Sequence, residues 1–136
     1  MYKCRHFSIE ELISPEIWSL LSEDACWRLI PPEVVYGLDT LRDMYGRAIW
    51  INGKGLSQCG VRAMSSKSGV KLSGHKLFRG ETCFDLHCDD IKRLEDIVRA
   101  NHISLGIGRM ENTAKTNGWL HVSFIKGAQN LDVFDP

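Results

Sequence analysis

The chain has 136 residues, 43% of them hydrophobic, and its 17 lysines and arginines balance its 17 aspartates and glutamates. This length suits one compact domain over residues 1–136. The formal net charge of zero argues against a general electrostatic grip on nucleic acid or on an anionic membrane. No apolar run approaches the roughly 20 residues of a membrane helix, and the N-terminus lacks the apolar stretch of a secretory signal, so synthesis in the cytoplasm is expected.

Helices are predicted to dominate the first part of the chain. The stretch "FSIEELISPEIW" predicts two short helices, the first with a capping box formed by Ser8 and Glu11. The clearest helix opens at Pro32 and is closed by Gly46, with apolar residues at helical spacing between them. The next stretch, "AIWIN", predicts a short buried strand.

The second half predicts strands with one intervening helix. "TCFDLHC" alternates like a strand, and Asp89 and Asp90 are suited to begin a helix. "ISLGIG" and "GWLHVSFI" predict two more strands, and "LDVF" predicts a last edge strand. This order favours an α+β domain with a small, mostly antiparallel sheet flanked by helices.

Three side chains in this half suggest a metal site. His75 lies in a long glycine-rich segment, residues 53–82, and a loop of that length in a small domain is usually functional or disordered. Alternation puts Asp85 and His121 on the polar faces of their strands. If those strands are neighbours, the two side chains converge and His75 can join them from the loop. Two imidazoles and one carboxylate leave an open position for water, which is the composition of a catalytic zinc site.

The cysteines offer two alternatives to that interpretation. Their odd count of five and irregular spacing argue against a disulfide framework. Cys83, Asp85 and His87 share a predicted strand face, so they are a rival candidate for the metal site. A thiol enzyme that uses Cys83 or Cys88 is a further hypothesis, and it is the weaker one because neither lies in a setting that would lower its pKa.

Several stretches together resemble a known family. They are "LRDMYGRAIWIN", "CGVR", "SGHKLFRGETCFDLH" and "GWLHVSF", followed by the closing "LDVFDP". In this order they look like the D-alanyl-D-alanine carboxypeptidase-like zinc peptidases, and most of all like the phage-type branch. The resemblance covers nearly the whole chain and implies the hedgehog/DD-peptidase fold.

The resemblance implies roles for individual residues. His75, Asp85 and His121 match the three zinc ligands of the family. Arg62, in "CGVR", resembles the arginine that binds a substrate carboxylate or carbonyl, a task suited to a guanidinium fork. Ser73 matches the serine of the Ser-x-His step and is expected on the substrate side of the site.

The general base is not fixed by the motif, because Gly118 stands where many family members have a glutamate. Glu111, in "RMEN", is the best candidate, and phage-type relatives carry an acid there. His87 is the second candidate, since it shares a strand face with Asp85. Trp119 shares a strand face with His121 and is expected to line the cleft.

The implied function is zinc-dependent hydrolysis of peptidoglycan stem or cross-bridge peptides, at a D,D- or L,D-type bond. Such an enzyme would reach the cell wall after lysis-type release or as part of a virion, where other virion proteins would be its partners. The alternative is a non-catalytic structural or binding module of a phage particle on the same fold. The spacing from His75 to Asp85, which is longer than usual in the family, and the glycine at position 118 favour that alternative.

Overall fold

The computed structural model describes residues 2–63, 75, 80–116 and 118–135. The helices are α1 (Ile9–Leu12), α2 (Pro15–Trp18), α3 (Glu23–Trp27), α4 (Pro32–Tyr45) and α5 (Ile91–Leu105). The strands are β1 (Glu81–Leu86), β2 (Ile107–Glu111), β3 (Leu120–Ile125) and β4 (Asp132–Phe134). The predicted α+β class is therefore confirmed. Within the described ranges, no helix is long and apolar enough to cross a membrane.

The four strands form one sheet in the order β1-β3-β2-β4. β3 pairs antiparallel with both β1 and β2, whereas β4 pairs parallel with β2 at the edge. The sheet is thus mixed, although two of its three pairings have the expected antiparallel direction. "LDVF" forms the edge strand predicted for it.

The long helix α4 begins and ends where the sequence predicts, and α5 begins where it predicts. Pro32 occupies the first turn of α4, where its missing N–H costs no hydrogen bond, and Gly46 ends the helix in the left-handed conformation. Asp90 caps α5 by accepting a hydrogen bond from the backbone N–H of Arg93. In the shorter α1, the Glu11 carboxylate accepts from the backbone N–H of Ser8 at 2.8 Å, as the capping box requires.

Two predicted strands differ from the structure. "AIWIN" contains only an isolated bridge, between Trp50 and His87, because the chain turns at once into the tight turn around Gly53. "ISLGIG" is divided: α5 continues to Leu105, Gly106 ends it with a φ of 77°, and β2 starts at Ile107. A short apolar run does not distinguish the end of a buried helix from a strand. The first three residues of "ISLGIG" therefore belong to α5 and not to the predicted strand.

The two faces of the sheet have different roles. Phe84, Val122 and Phe124 point to one face and are buried in the hydrophobic core. This face packs so closely on α4 that a Cβ on Gly37 would lie 2.8 Å from the Phe124 ring. The strand period of two sends Asp85 and His121 to the opposite face, away from the core.

Candidate metal centre

Asp85 and His121 meet because their strands pair in a fixed register. The two residues are direct partners across the β1–β3 ladder. His121 Nδ1 lies 2.8 Å from Asp85 Oδ1, and the side chains are only 13% and 15% exposed. The convergence expected from strand alternation is therefore present.

His75 completes the group from the segment that precedes β1. Its Nδ1–H donates to the carbonyl oxygen of Gly60 at 2.9 Å, since a carbonyl only accepts. That bond leaves Nε2 facing the pair, 3.2 Å from His121 Nδ1 and 3.4 Å from Asp85 Oδ1. One donor atom from each of the three residues lies within 4.8 Å of the others, so the group could hold a metal ion.

The backbone of residues 59–62 lies between α1 and β1 and positions these side chains. The carbonyl oxygen of Cys59 accepts a hydrogen bond from the backbone N–H of Asp85 at 2.7 Å. The backbone N–H of Arg62 donates to the carbonyl oxygen of His75 at the same distance. The Asn52 side chain secures the segment, because it accepts from the Cys59 N–H and donates to the Ile13 carbonyl. The Gly60 carbonyl is therefore held in place to fix the His75 tautomer, which is the usual task of a partner outside the metal ligands.

The electrostatics of the group are those of a tight ion pair. Burial lowers the pKa of His121, but its hydrogen bonds to Asp85 and Cys83 outweigh burial and raise it above the ordinary 6.5. Burial raises the pKa of Asp85. The hydrogen bonds from His121 and His75 outweigh burial and hold this pKa well below the ordinary value. A proton thus resides on the His121 imidazole beside a carboxylate, and a metal cation would compete with that proton.

Arg62 lies beside this group. Its Nη2 is 3.8 Å from Asp85 Oδ2, and its Nε–H donates to the Gln58 carbonyl at 2.5 Å. The side chain is only 11% exposed. The structure therefore places Arg62 at the group, with its guanidinium turned toward Asp85, and its predicted role as a substrate clamp stays a prediction.

Glu111 lies on the neighbouring strand. β2 pairs Arg109 with Ser123 and Met110 with Val122, and continuing that register by one residue places Glu111 opposite His121. On its other side Glu111 is the partner of Phe134, whose ring packs edge-on against the His121 ring at 6.1 Å. The predicted base is therefore on the strand next to β3, across from His121. It lies beside the group of His75, Asp85 and His121, called the metal group below.

His87 and Trp119 lie one step along the same face, away from the metal group. The His87 ring stacks on Trp50 at 6.2 Å and is tilted against Trp119 at 6.4 Å. His87 Nδ1 is buried and has no hydrogen-bond partner among the described residues. Ser73, the remaining predicted substrate-side residue, lies outside the described residues.

Among the residues that the structure describes, the rival site of Cys83, Asp85 and His87 is not formed. The group that could hold an ion contains Asp85 together with His75 and His121, and neither Cys83 nor His87 belongs to it. Side chains two residues apart on one strand run parallel, so they do not converge on an ion. Burial raises the pKa of the Cys88 thiol, which disfavours the thiolate that a thiol enzyme would need.

Three contributors were missed by the sequence reasoning. Gly60 acts through its carbonyl and Asn52 through bonds to distant backbone, and neither leaves a sequence signal. Phe134 had a signal, because the predicted edge strand "LDVF" offers an aromatic ring to the sheet face.

No family model, curated protein or solved structure compared with this chain matches it.

Proposed function

We propose that this protein is a zinc-dependent peptidase that cleaves peptidoglycan stem or cross-bridge peptides, as a cell-wall hydrolase of phage or prophage type. The convergence of His75, Asp85 and His121 carries the proposal. The ordered stretches that resemble the phage-type zinc peptidases support the choice of reaction and substrate.

The spacing of the donor atoms supports zinc. Ligands about 2.0–2.1 Å from a tetrahedral zinc ion lie about 3.3 Å from one another. The donor atoms of His75, His121 and Asp85 are 3.2, 3.4 and 2.8 Å apart. Two imidazole nitrogens and a carboxylate oxygen also match the donor set of catalytic zinc, which leaves a fourth position for water or substrate.

When bound, zinc lowers the pKa of a water molecule and polarises the scissile carbonyl. The residues of the chain would do the rest. Glu111, on the strand beside His121, would take a proton from the attacking water and return it to the leaving amine. His87 is the alternative base, although its ring is held between two tryptophans rather than at the metal group.

Substrate contacts are proposed for three residues around the metal group. Arg62 would bind a substrate carboxylate or steady the charged oxygen that develops on the carbonyl. Trp119, which directly precedes β3, would line the cleft, and Ser73 would contact the substrate.

The first experiment is elemental analysis of the purified protein beside the variant His121→Ala. We expect about one zinc ion per chain in the wild type and loss of that zinc in the variant. A wild type that holds no zinc after reconstitution would overturn the metallopeptidase proposal.

The second experiment tests catalysis with zinc-loaded protein and purified peptidoglycan, by mass analysis of the released peptides. Glu111→Gln should lower the rate by about 10²- to 10⁴-fold without changing zinc content, because it removes proton transfer and no ligand. Glu33→Gln is the matched control and should keep full activity, because Glu33 lies on α4, which packs on the opposite face of the sheet from His75, Asp85 and His121. A zinc-loaded wild type that releases no peptide would favour the non-catalytic module instead.

A further inference from the structure

A row of aromatic rings lies beside the metal group, where β1 ends and β3 begins. Trp50 and His87 exchange two backbone hydrogen bonds of 2.9 Å, as direct partners in an antiparallel pair do. Their rings are stacked with centroids 6.2 Å apart, and the Trp119 ring lies 6.4 Å from the His87 ring. His87 follows Asp85 by two residues, about 7 Å along the strand, so the row runs next to the metal group.

Lys54 lies at the Trp50 end of this row. Its Nζ is 3.7 Å from the centroid of the Trp50 ring, which is a cation–π contact. The lysine belongs to a tight turn in which Gly53 and Leu56 exchange backbone hydrogen bonds of 2.7 and 2.9 Å. Among the described residues, Lys54 is the one residue other than glycine with a positive φ, 52°. Glycine or asparagine would fit such a backbone with less strain, so a lysine there points to a task for its side chain.

Two other cations near the metal group already have partners in the chain. Arg62 Nη2 lies 3.8 Å from Asp85, and Arg109 Nε donates to Asp132 at 3.1 Å. Lys54 is exposed, and in the part of the chain that the structure describes no carboxylate lies within 4.0 Å of its ammonium. This ammonium can therefore take a carboxylate from a bound molecule.

The distance from Lys54 to the metal group suits a peptide. Trp50 is one strand away from His87, and His87 is two residues from Asp85, so the ammonium lies on the order of 10 Å from the metal group. An extended peptide covers about 3.3–3.6 Å per residue, so a chain bound at the metal group reaches Lys54 with about its third residue. The rings of Trp50, His87 and Trp119 are partly exposed and offer that chain an apolar surface on the way.

We propose that Lys54 is a specificity residue of the peptidase: its ammonium, held over Trp50, binds a carboxylate that the substrate carries about three residues from the cleaved bond. The inference rests on the proposed function and adds the class of substrate, which is an acidic peptide rather than its amidated form. Lys54 touches no reacting atom in this arrangement. The contact is also separate from the one proposed for Arg62, which lies at the metal group itself.

The test uses one peptidoglycan stem peptide in two forms, with its carboxylates free or converted to primary amides. Lys54→Met removes the charge and keeps the length of the side chain. Lys126→Met is the matched control, because Lys126 is an exposed lysine that follows β3 at the end away from His121. Two readouts are taken for both peptides: kcat and KM with the zinc-loaded protein, and the dissociation constant with the metal-free protein by NMR titration.

We expect Lys54→Met to lower kcat/KM for the acidic peptide by about fivefold, through KM, because a partly exposed ion pair is lost. The amidated peptide should be bound and cleaved equally well by the variant and the wild type. Lys126→Met should leave both peptides unaffected. Trp50→Phe, which keeps a ring under the ammonium, should retain the preference for the acidic peptide, and Trp50→Leu should lose it.

A loss in Lys54→Met that is the same for both peptides, or no loss for either, would overturn the proposal and leave the peptidase activity standing. A zinc-loaded wild type that cleaves neither peptide, while the metal-free protein binds the acidic form more tightly through Lys54, would support the carboxylate site and overturn the proposed function. A protein that neither binds nor cleaves the two peptides would overturn both.

Discussion

Replacing Asp85 by asparagine in the metal-free protein should lower the free energy of unfolding by about 3 kcal/mol. The carboxylate lies 2.8 Å from His121, 3.4 Å from His75 and 3.8 Å from Arg62, and its side chain is 15% exposed. Removing one partner of a buried ion pair costs about 3–5 kcal/mol, and the lower end applies because asparagine keeps an oxygen that can accept from His121. For a chain of this length the loss corresponds to a fall in Tm of roughly 10 °C.

The pH dependence of that loss identifies its cause. The pKa of His121 is raised from 6.5 to about 10, so its contribution is fully present below pH 6.5 and is lost as the pH rises toward 10. The pKa of Asp85 is lowered from 3.8, so its contribution is present above pH 3.8 and is lost as the pH falls through the lowered value. The gap between wild type and Asp85→Asn should therefore be larger at about pH 6 than at about pH 8.5.

Urea unfolding followed by circular dichroism at both pH values provides the measurement. Asp43→Asn is the matched control, because Asp43 also binds an arginine and a histidine, Arg5 at 2.6 Å and His6 at 2.7 Å, but is 48% exposed. An exposed pair of this kind contributes little, so the control should lose far less stability. An equal loss in the two variants, or a gap that does not change with pH, would refute the reasoning.

Two further predictions concern the metal and the backbone beneath it. Zinc binding should tighten from pH 6 to pH 8, because the metal displaces protons from the imidazoles. Calorimetry in buffers of different ionisation enthalpy counts the protons released. An affinity for zinc that does not depend on pH would contradict binding at the imidazoles. Gly60→Ala should lower the free energy of unfolding by at least about 2 kcal/mol, because its Cβ would collide with the backbone of Leu12, which cannot turn aside as a side chain can. Gly55→Ala is the control, because Gly55 has open space around it and an added Cβ would meet no atom. Its positive φ adds some backbone strain, so it is a strict comparison for the stability lost in Gly60→Ala. If thermal unfolding shows no larger loss for Gly60→Ala than for Gly55→Ala, the close packing of the segment on α1 is wrong.

The metal group could be anticipated from the sequence because strand alternation is a local property. The polar faces of "TCFDLHC" and "GWLHVSFI" follow from a period of two, and that period assigns Asp85 and His121 to one side of any sheet that pairs their strands. The pairing itself was a condition of the prediction. The register that makes the two residues direct partners depends on how the strands meet, which no local pattern contains.

Other features depend on tertiary contacts and left no local pattern. The Gly60 carbonyl reaches His75 only because Asn52 ties the intervening segment to Ile13, more than thirty residues earlier in the chain. The short helix α3 was missed although Ser22 caps it by accepting from the Ala25 N–H, because one turn of helix produces no apolar period. The boundary between α5 and β2 was misplaced because Gly106, which ends the helix, stands within an apolar run.

The opposite pH trends expected for apo-protein stability and for metal affinity would separate a metal site from a structural ion pair. In an ion pair, the proton on His121 is the stabilising partner of Asp85, and raising the pH only weakens the contact. In a metal site, the same proton is a competitor, and raising the pH frees the imidazole nitrogen for a cation of higher charge. His75 makes the second interpretation the stronger one: its Nδ1 is already committed to Gly60, so its Nε2 meets His121 Nδ1 at 3.2 Å with at most one proton between them. Two imidazole nitrogens and a carboxylate oxygen directed at one point are better satisfied by a divalent cation than by a single shared proton.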